Sequence, residues 1–310
     1  MDTKAPTFSD RFASISGFFP PIAQRVDQWN QSLSRGSELV FDAARISLVL
    51  APLNDARLLE LAELECQHPV RAENRSMEPI LVYGFPLGSS LGLIASLEWM
   101  GLPHRLCRVD MLGEMREPAY RRLNPRVETP VLITDKGEVL TETMAIAAWL
   151  EARDTQRRIS FDPVSREADR MHQMMAFINT GFTGAFSPLW AAMEMDPPNP
   201  PMQTALTEWG RASVIERHDR LEEMIGDSEY LIADRPTLAD GLLIGVARWL
   251  DFHEVAEASR WPKLDTLRRR LEADPAAVYA AALERGETLP GSGACKGHVP
   301  LGEVVRRFGA

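Results

Sequence analysis

Three hydroxyls crowd one short stretch of the chain, Tyr83 and the pair Ser89-Ser90, around Phe85-Pro-Leu-Gly-Ser-Ser-Leu91. A hydroxyl donor beside a helix N-terminus can stabilise an anion, because unpaired N–H groups and the helix dipole point the same way. A thiolate is an anion worth stabilising. A free thiol ionises near pH 8.5, so only about 3% is ionised at neutral pH. Two further groups stand at turns. Glu142-Thr143 opens a helical stretch, where a hydroxyl and N–H groups suit a carboxylate and the Glu142 side chain suits an α-ammonium. Thr129-Pro130 stands directly before an apolar strand. Each group has a plain structural use as well. Serine and threonine cap helices, a tyrosine packs in a strand, and a proline opens an edge strand.

Other reactive chemistry is sparse. Cys66, Cys107 and Cys295 lie far apart without a CxxC, which fits neither a disulfide framework nor a zinc site. The spacing suits a reducing, cytoplasmic setting. The six His form no HExxH pair, so no metal is expected. The 310 residues carry a net charge of −10, which argues against a dedicated nucleic-acid or anionic-membrane binder. No run approaches the roughly 18 apolar residues of a membrane span.

The elements that must position these groups follow from periodicity. Ile80–Phe85 reads as a strand, Ser89–Met100 as a helix stopped by Gly101, and His104–Val109 as a second strand. Pro130–Thr134 and Glu138–Leu140 read as a hairpin across Asp135-Lys-Gly137, and Thr143–Glu151 as a helix. A helix between the first two strands implies a right-handed crossover and a parallel pair, and the hairpin makes the sheet mixed. Beyond residue 163 the pattern is helical over 165–193, 203–225, 237–250 and 263–285. Pro188 should end or kink the first of these, and Pro197–Pro201 should be a stiff loop. Thr237-x-x-Asp240 reads as a capping box.

Three motifs, Asn124-Pro-Arg-Val-Glu-Thr-Pro-Val-Leu132, Leu140-Thr-Glu-Thr-Met-Ala-Ile-Ala-Ala-Trp-Leu150 and Tyr230-Leu-Ile-Ala-Asp-Arg-Pro-Thr-Leu-Ala-Asp240, stand in this order across both halves. Together they resemble the cytosolic glutathione S-transferase superfamily over roughly residues 78–285. The resemblance implies a thioredoxin-like α/β domain over 77–157 and an all-α domain over 163–287. It implies a glutathione-dependent transferase acting on a small apolar electrophile, or a related reduction of a peroxide or mixed disulfide. It also implies a homodimer without nucleic-acid or membrane partners.

Within that resemblance Thr129 and a cis Pro130 hold the cysteinyl part of glutathione, and Glu142 and Thr143 its γ-glutamyl end. Ser89 is the first candidate for activating the thiol, Ser90 the second and Tyr83 the third. Leu87 falls where some classes carry their serine, a departure from the pattern. Phe182, Phe186 and Trp190 are the candidates for lining the second-substrate cleft. The alternative reading of the same fold is a noncatalytic glutathione-binding or protein-interaction module.

Residues 1–76 read as an N-terminal extension with helical stretches at Ser37–Leu50 and Leu53–Cys66. Met77, just ahead of the first strand, raises the expectation of an upstream start assignment; the alternative is an appendage, helical or poorly ordered, that packs on the domain or recruits a partner. Residues 288–310, with Pro290-Gly-Ser-Gly293, read as a loose tail.

Overall fold

The computed structural model describes residues 77–309, all within one compact unit spanning Glu73–Ala310. The expected N-terminal extension lies outside the described residues.

Strand β1 (Ile80–Phe85) leads through a tight turn into α1 (Leu91–Met100), which ends at Gly101 in the left-handed conformation. Strand β2 (His104–Asp110) then pairs parallel to β1, with Ile80 opposite Arg105 and Val82 opposite Cys107. Two 3₁₀ turns, Glu114–Arg116 and Tyr120–Arg122, precede β3 (Val131–Ile133) and β4 (Val139–Thr141). β3 is antiparallel to both β1 and β4, and α2 (Thr143–Glu151) follows. The mixed thioredoxin-like sheet is therefore the one the sequence implies.

Side chains alternate across this sheet, as strand geometry requires. Leu81, Tyr83, Leu106 and Leu132 join the large core shared with the helices, while Ile80, Val82, Cys107, Val109, Val131 and Ile133 form a second core on the opposite face.

The helical part comprises α3 (Arg166–Ala176), a π-helical segment Phe177–Phe182, α4 (Ser187–Met193), α5 (Pro200–Met224), α6 (Leu238–Ala247), the short α7 (Trp249–Phe252), α8 (Pro262–Ala273) and α9 (Pro275–Glu284). Prolines start helices here more often than they stop them. Pro188 lies in the first turn of α4, Pro200 opens α5 behind the Asn199 cap, and Pro275 splits the expected 263–285 helix behind the Asp274 cap. A proline in the first turn sacrifices no helical N–H bond and arrives with the right φ.

The capping box forms as read. Asp240 is fully buried and accepts from the Thr237 N–H at 2.8 Å, the Thr237 hydroxyl at 2.7 Å and the Leu231 N–H at 3.0 Å.

The tail departs from expectation. Cys295–His298 forms β5, which pairs parallel to β2 and extends the sheet to the order β4-β3-β1-β2-β5. Helix α10 (Leu301–Phe308) then lays Val304 and Val305, with Val299, on the second core. Apolar burial against this sheet face, beside Tyr120 and Leu123, orders a segment that its glycines and polar residues had marked as loose. Among the described residues no helix is long and apolar enough to cross a membrane.

Candidate active site

The turn from β1 into α1 is built by close approaches. A Cβ at Gly88 would lie 2.3 Å from the Gly84 carbonyl oxygen, so only glycine fits. Leu87 carries φ +60°, a backbone region that non-glycine residues seldom occupy. Two side chains from the helical part hold the turn in this shape. The Trp249 indole donates to the Leu87 carbonyl at 2.9 Å, and the Arg248 guanidinium to the Gly88 carbonyl at 2.9 Å. Arg248 is itself fixed by a bidentate pair with Glu284. The Glu284 carbonyl accepts from Arg108 at 2.8 Å, and Arg108 lies over the Phe85 ring at 3.3 Å.

The two serines take different positions. Ser90 is completely buried, and its Oγ accepts from the Gly84 N–H at 3.1 Å, tying the turn together from beneath. Ser89 is half-buried and lines a small cavity of about 30 Å³. Thr143 at the start of α2 lines the same cavity, as do Asn179 and Thr183 from the π-helical region and Leu93, Ile178, Leu242 and Val246. Such a volume holds about one water-sized group. The N-terminus of α1 and that of α2 thus meet at one point. Among the described residues neither the Ser89 nor the Ser90 N–H has an acceptor.

Ser89 is placed by helix packing. A Cβ at Gly92 would lie 1.6 Å from the Gly241 carbonyl oxygen, and one at Gly245 would lie 2.2 Å from the Ser89 carbonyl oxygen. Helices α1 and α6 therefore meet backbone to backbone.

Tyr83 is directed elsewhere. It is buried, its hydroxyl donates to the Leu283 carbonyl at 3.3 Å and lies 3.2 Å from His298 Nε2. Burial raises this phenol well above its ordinary pKa. It does not line the Ser89 cavity.

Thr129-Pro130 is cis, and Thr129 lies half-buried at the start of β3, its hydroxyl 3.5 Å from Met111 Sδ. Its backbone N–H and C=O make no hydrogen bond among the described residues. The loop before it is held by Asn124 and Tyr120, which both donate to the Glu128 carbonyl, at 2.9 and 2.8 Å. Glu142 has φ +71° at the N-terminus of α2, and its carboxylate pairs with Arg126, which also pairs with Glu128 at 3.1 Å. Opposite charges thus stand side by side near Thr143.

Of the three residues expected at a second-substrate cleft, Trp190 alone is partly exposed. It stacks on Phe252 and meets Trp249 edge-on. Phe182 and Phe186 are fully buried and pack with His218, inside the helical core rather than along an open cleft.

Asn179, Thr183, Arg248 and Trp249 escaped the reading of the sequence. Helical periodicity averages over a π segment, although such segments often mark functional sites. Nothing local reveals that residues near 248 touch residues near 88.

Comparison with known proteins agrees with this architecture. A family model described as glutathione S-transferase, N-terminal domain, matches residues 90–153. A maleylacetoacetate isomerase of Pseudomonas aeruginosa is 30% identical over 199 residues, covering 61% of this chain and 84% of its own. A glutathione S-transferase of Xanthomonas campestris is 28% identical over 205 residues, covering 66% of this chain and 98% of its own. A glutathione transferase homologue from Sulfitobacter, solved with bound glutathione, superposes with a TM-score of 0.59 at 22% identity, over 68% of this chain and 99% of that one. The chain belongs to the glutathione S-transferase superfamily.

Proposed function

We propose that this chain is a glutathione-dependent transferase in which Ser89 activates the thiol. The observation that carries the reading is the shared cavity of Ser89 and Thr143, which brings two helix N-termini to one point. The open Thr129 backbone would pair with the cysteinyl part of glutathione as an added strand does. Thr143 would bind the γ-glutamyl carboxylate and Glu142 the α-ammonium, with Arg126 already beside them to balance charge. The Ser89 hydroxyl and the α1 N-terminus would then meet the sulfur. One hydrogen bond to the anion, worth about 1.5–3 kcal/mol, lowers a thiol pKa by roughly one to two units.

The thiolate would attack a small apolar electrophile entering beside Trp190. The likeness to a protein named an isomerase favours a second outcome at the same site. A thiolate that adds to an activated alkene and leaves again isomerises it instead of conjugating.

Calorimetric titration of glutathione into the full chain tests the first step. Saturable binding that weakens in Glu142→Ala supports the peptide site, and no binding at millimolar glutathione moves the reading to an interaction module. Ultraviolet titration of the bound thiolate tests the second. Ser89→Ala should raise the pKa of bound glutathione by roughly one to two units, and an unchanged pKa removes Ser89 from the mechanism.

A further inference from the structure

The Ser89 cavity is lined from the helical part as well, by two polar side chains to which thiol activation gives no task. Asn179 lies within the π-helical segment Phe177–Phe182 and Thr183 directly after it. Asparagine is a poor choice inside a helix, because its amide competes with the backbone, and Gly181 between the two is poorer still. Local rules are broken in this way where a site needs a particular group. The turn that joins them is the wide one. The Thr183 N–H bonds to the Ile178 carbonyl at 2.8 Å, five residues back instead of four.

Both residues are half-buried, and neither side chain has a hydrogen-bond partner among the described residues. Threonines elsewhere in the helical part behave differently. Thr204, Thr207 and Thr266 each donate to the carbonyl four residues earlier, at 3.0, 2.8 and 2.7 Å. The Thr183 hydroxyl makes no such bond. An amide and a hydroxyl that serve no protein group stand ready for something else.

Size and lining narrow what that is. About 30 Å³ admits one water-sized group and not the body of a substrate, so a single atom enters while the body stays outside. Among the described residues no Asp, Glu, Lys, Arg or His lines the cavity, so the atom is met by hydrogen bonds and not by an ion pair. An amide N–H and a hydroxyl suit an oxygen on which negative charge develops.

We propose that Asn179 and Thr183 bind the carbonyl oxygen of the electrophile and are catalytic residues for carbonyl-activated alkenes, which rests on thiol activation at Ser89. In that step the glutathione thiolate sulfur forms a bond to the β-carbon of an α,β-unsaturated ketone. The alkene π pair moves between the α-carbon and the carbonyl carbon, and the carbonyl π pair moves onto oxygen, giving an enolate. The Asn179 amide and the Thr183 hydroxyl donate to that oxygen, and both bonds strengthen as the charge arrives. Conjugation ends when the α-carbon takes from solvent the proton that the thiol released, and the carbonyl re-forms. Isomerisation ends when the former double bond turns as a single bond, the electrons return and the sulfur leaves. Both outcomes pass through the enolate, so the same two residues serve either. Displacement at a saturated carbon forms no oxyanion and gains little from them.

Benzylideneacetone and benzyl chloride separate the two cases, since both carry a phenyl ring and only the first has a carbonyl. With full-length chain and glutathione, the rate enhancement over the uncatalysed reaction should be at least about 10-fold larger for benzylideneacetone. Asn179→Leu, which keeps the volume, should lower kcat for benzylideneacetone about 100-fold, and Thr183→Val about 10-fold. Each should lower benzyl chloride turnover by less than about 5-fold and leave the pKa of bound glutathione in place. An equal loss on both compounds, or a raised thiol pKa in Asn179→Leu, overturns the proposal, because the residues then serve the fold or the sulfur. A parent chain that accelerates benzylideneacetone no more than benzyl chloride overturns it even where neither variant folds. Failure of the Ser89 assignment shows separately, as an unchanged thiol pKa in Ser89→Ala, and leaves the comparison of the two compounds intact. A parent chain that turns over neither compound overturns both.

Discussion

The two loops that frame the candidate site are held in opposite ways. The Asn124–Pro130 loop is secured from within, by Asn124 and Tyr120 reaching a carbonyl four and eight residues on. The Phe85–Ser90 turn is secured from afar, by Arg248 and Trp249, some 160 residues away in sequence. One loop is held by residues close in sequence; the other adds to its local Ser90–Gly84 bond two bonds that exist only when the helical part has docked. The binding half of the proposed chemistry therefore rests on local structure, and the activating half on long-range packing.

This contrast breaks most readily at the glycine contact between α1 and α6. Gly92→Ala drives a methyl group into the Gly241 carbonyl, so it should destabilise the chain by about 3 kcal/mol and, where protein folds, displace Ser89. Denaturant melts and thiolate titration would register both effects. Asp240→Ala comes next, at about 2 kcal/mol, because it removes a cap and strands the Leu231 N–H.

The same carboxyl sharpens the picture through pH. Burial pushes Asp240 up to about 6, above its unfolded value near 3.9. Between these values the native state keeps a proton that the unfolded chain has lost. The stability this proton provides is complete below about pH 4 and disappears as pH rises through about 6. Urea midpoints measured over that window should fall in the parent relative to Asp240→Asn, and parallel curves would refute the assignment.

The smallest effects test the loops directly. Trp249→Phe and Asn124→Ala should each cost about 1 kcal/mol. Trp249→Phe should impair thiol ionisation more than glutathione affinity, and Asn124→Ala the reverse. Combined in one chain their stability costs should add, since the two side chains share no partner. A measured coupling above about 0.5 kcal/mol would join what the structure keeps apart.

The same division decides what could be read without coordinates. Strand β1, helix α1 with its Gly101 stop, the hairpin and the Thr237–Asp240 box all announce themselves within a few residues. Thr129, Glu142 and Thr143, the candidates for holding glutathione, stand out in the sequence because they sit in short motifs. The choice between Ser89 and Ser90 was not, because it depends on which hydroxyl the Gly84 N–H captures. Phe182 and Phe186 look identical in sequence to cleft residues, and only the packing of His218 against them places them inside. Strand β5 was invisible for a different reason. Cys-Lys-Gly-His has no apolar alternation, and the edge of β2 supplies the pairing that the segment's own composition does not.

That last strand also bears on how the protein is made. On the ribosome, β1, β2, β3 and β4 emerge first, and domains generally begin folding from the N-terminal side. Yet, among the described residues, the outer edge of β2 finds its partner and one apolar face of the sheet the last part of its cover only when residues 295–308 leave the exit tunnel. An uncovered edge is a template for pairing with another chain. The half of the molecule that is translated earlier is thus the half completed last, and a ribosome stalled anywhere before Cys295 leaves a nascent chain prone to aggregate.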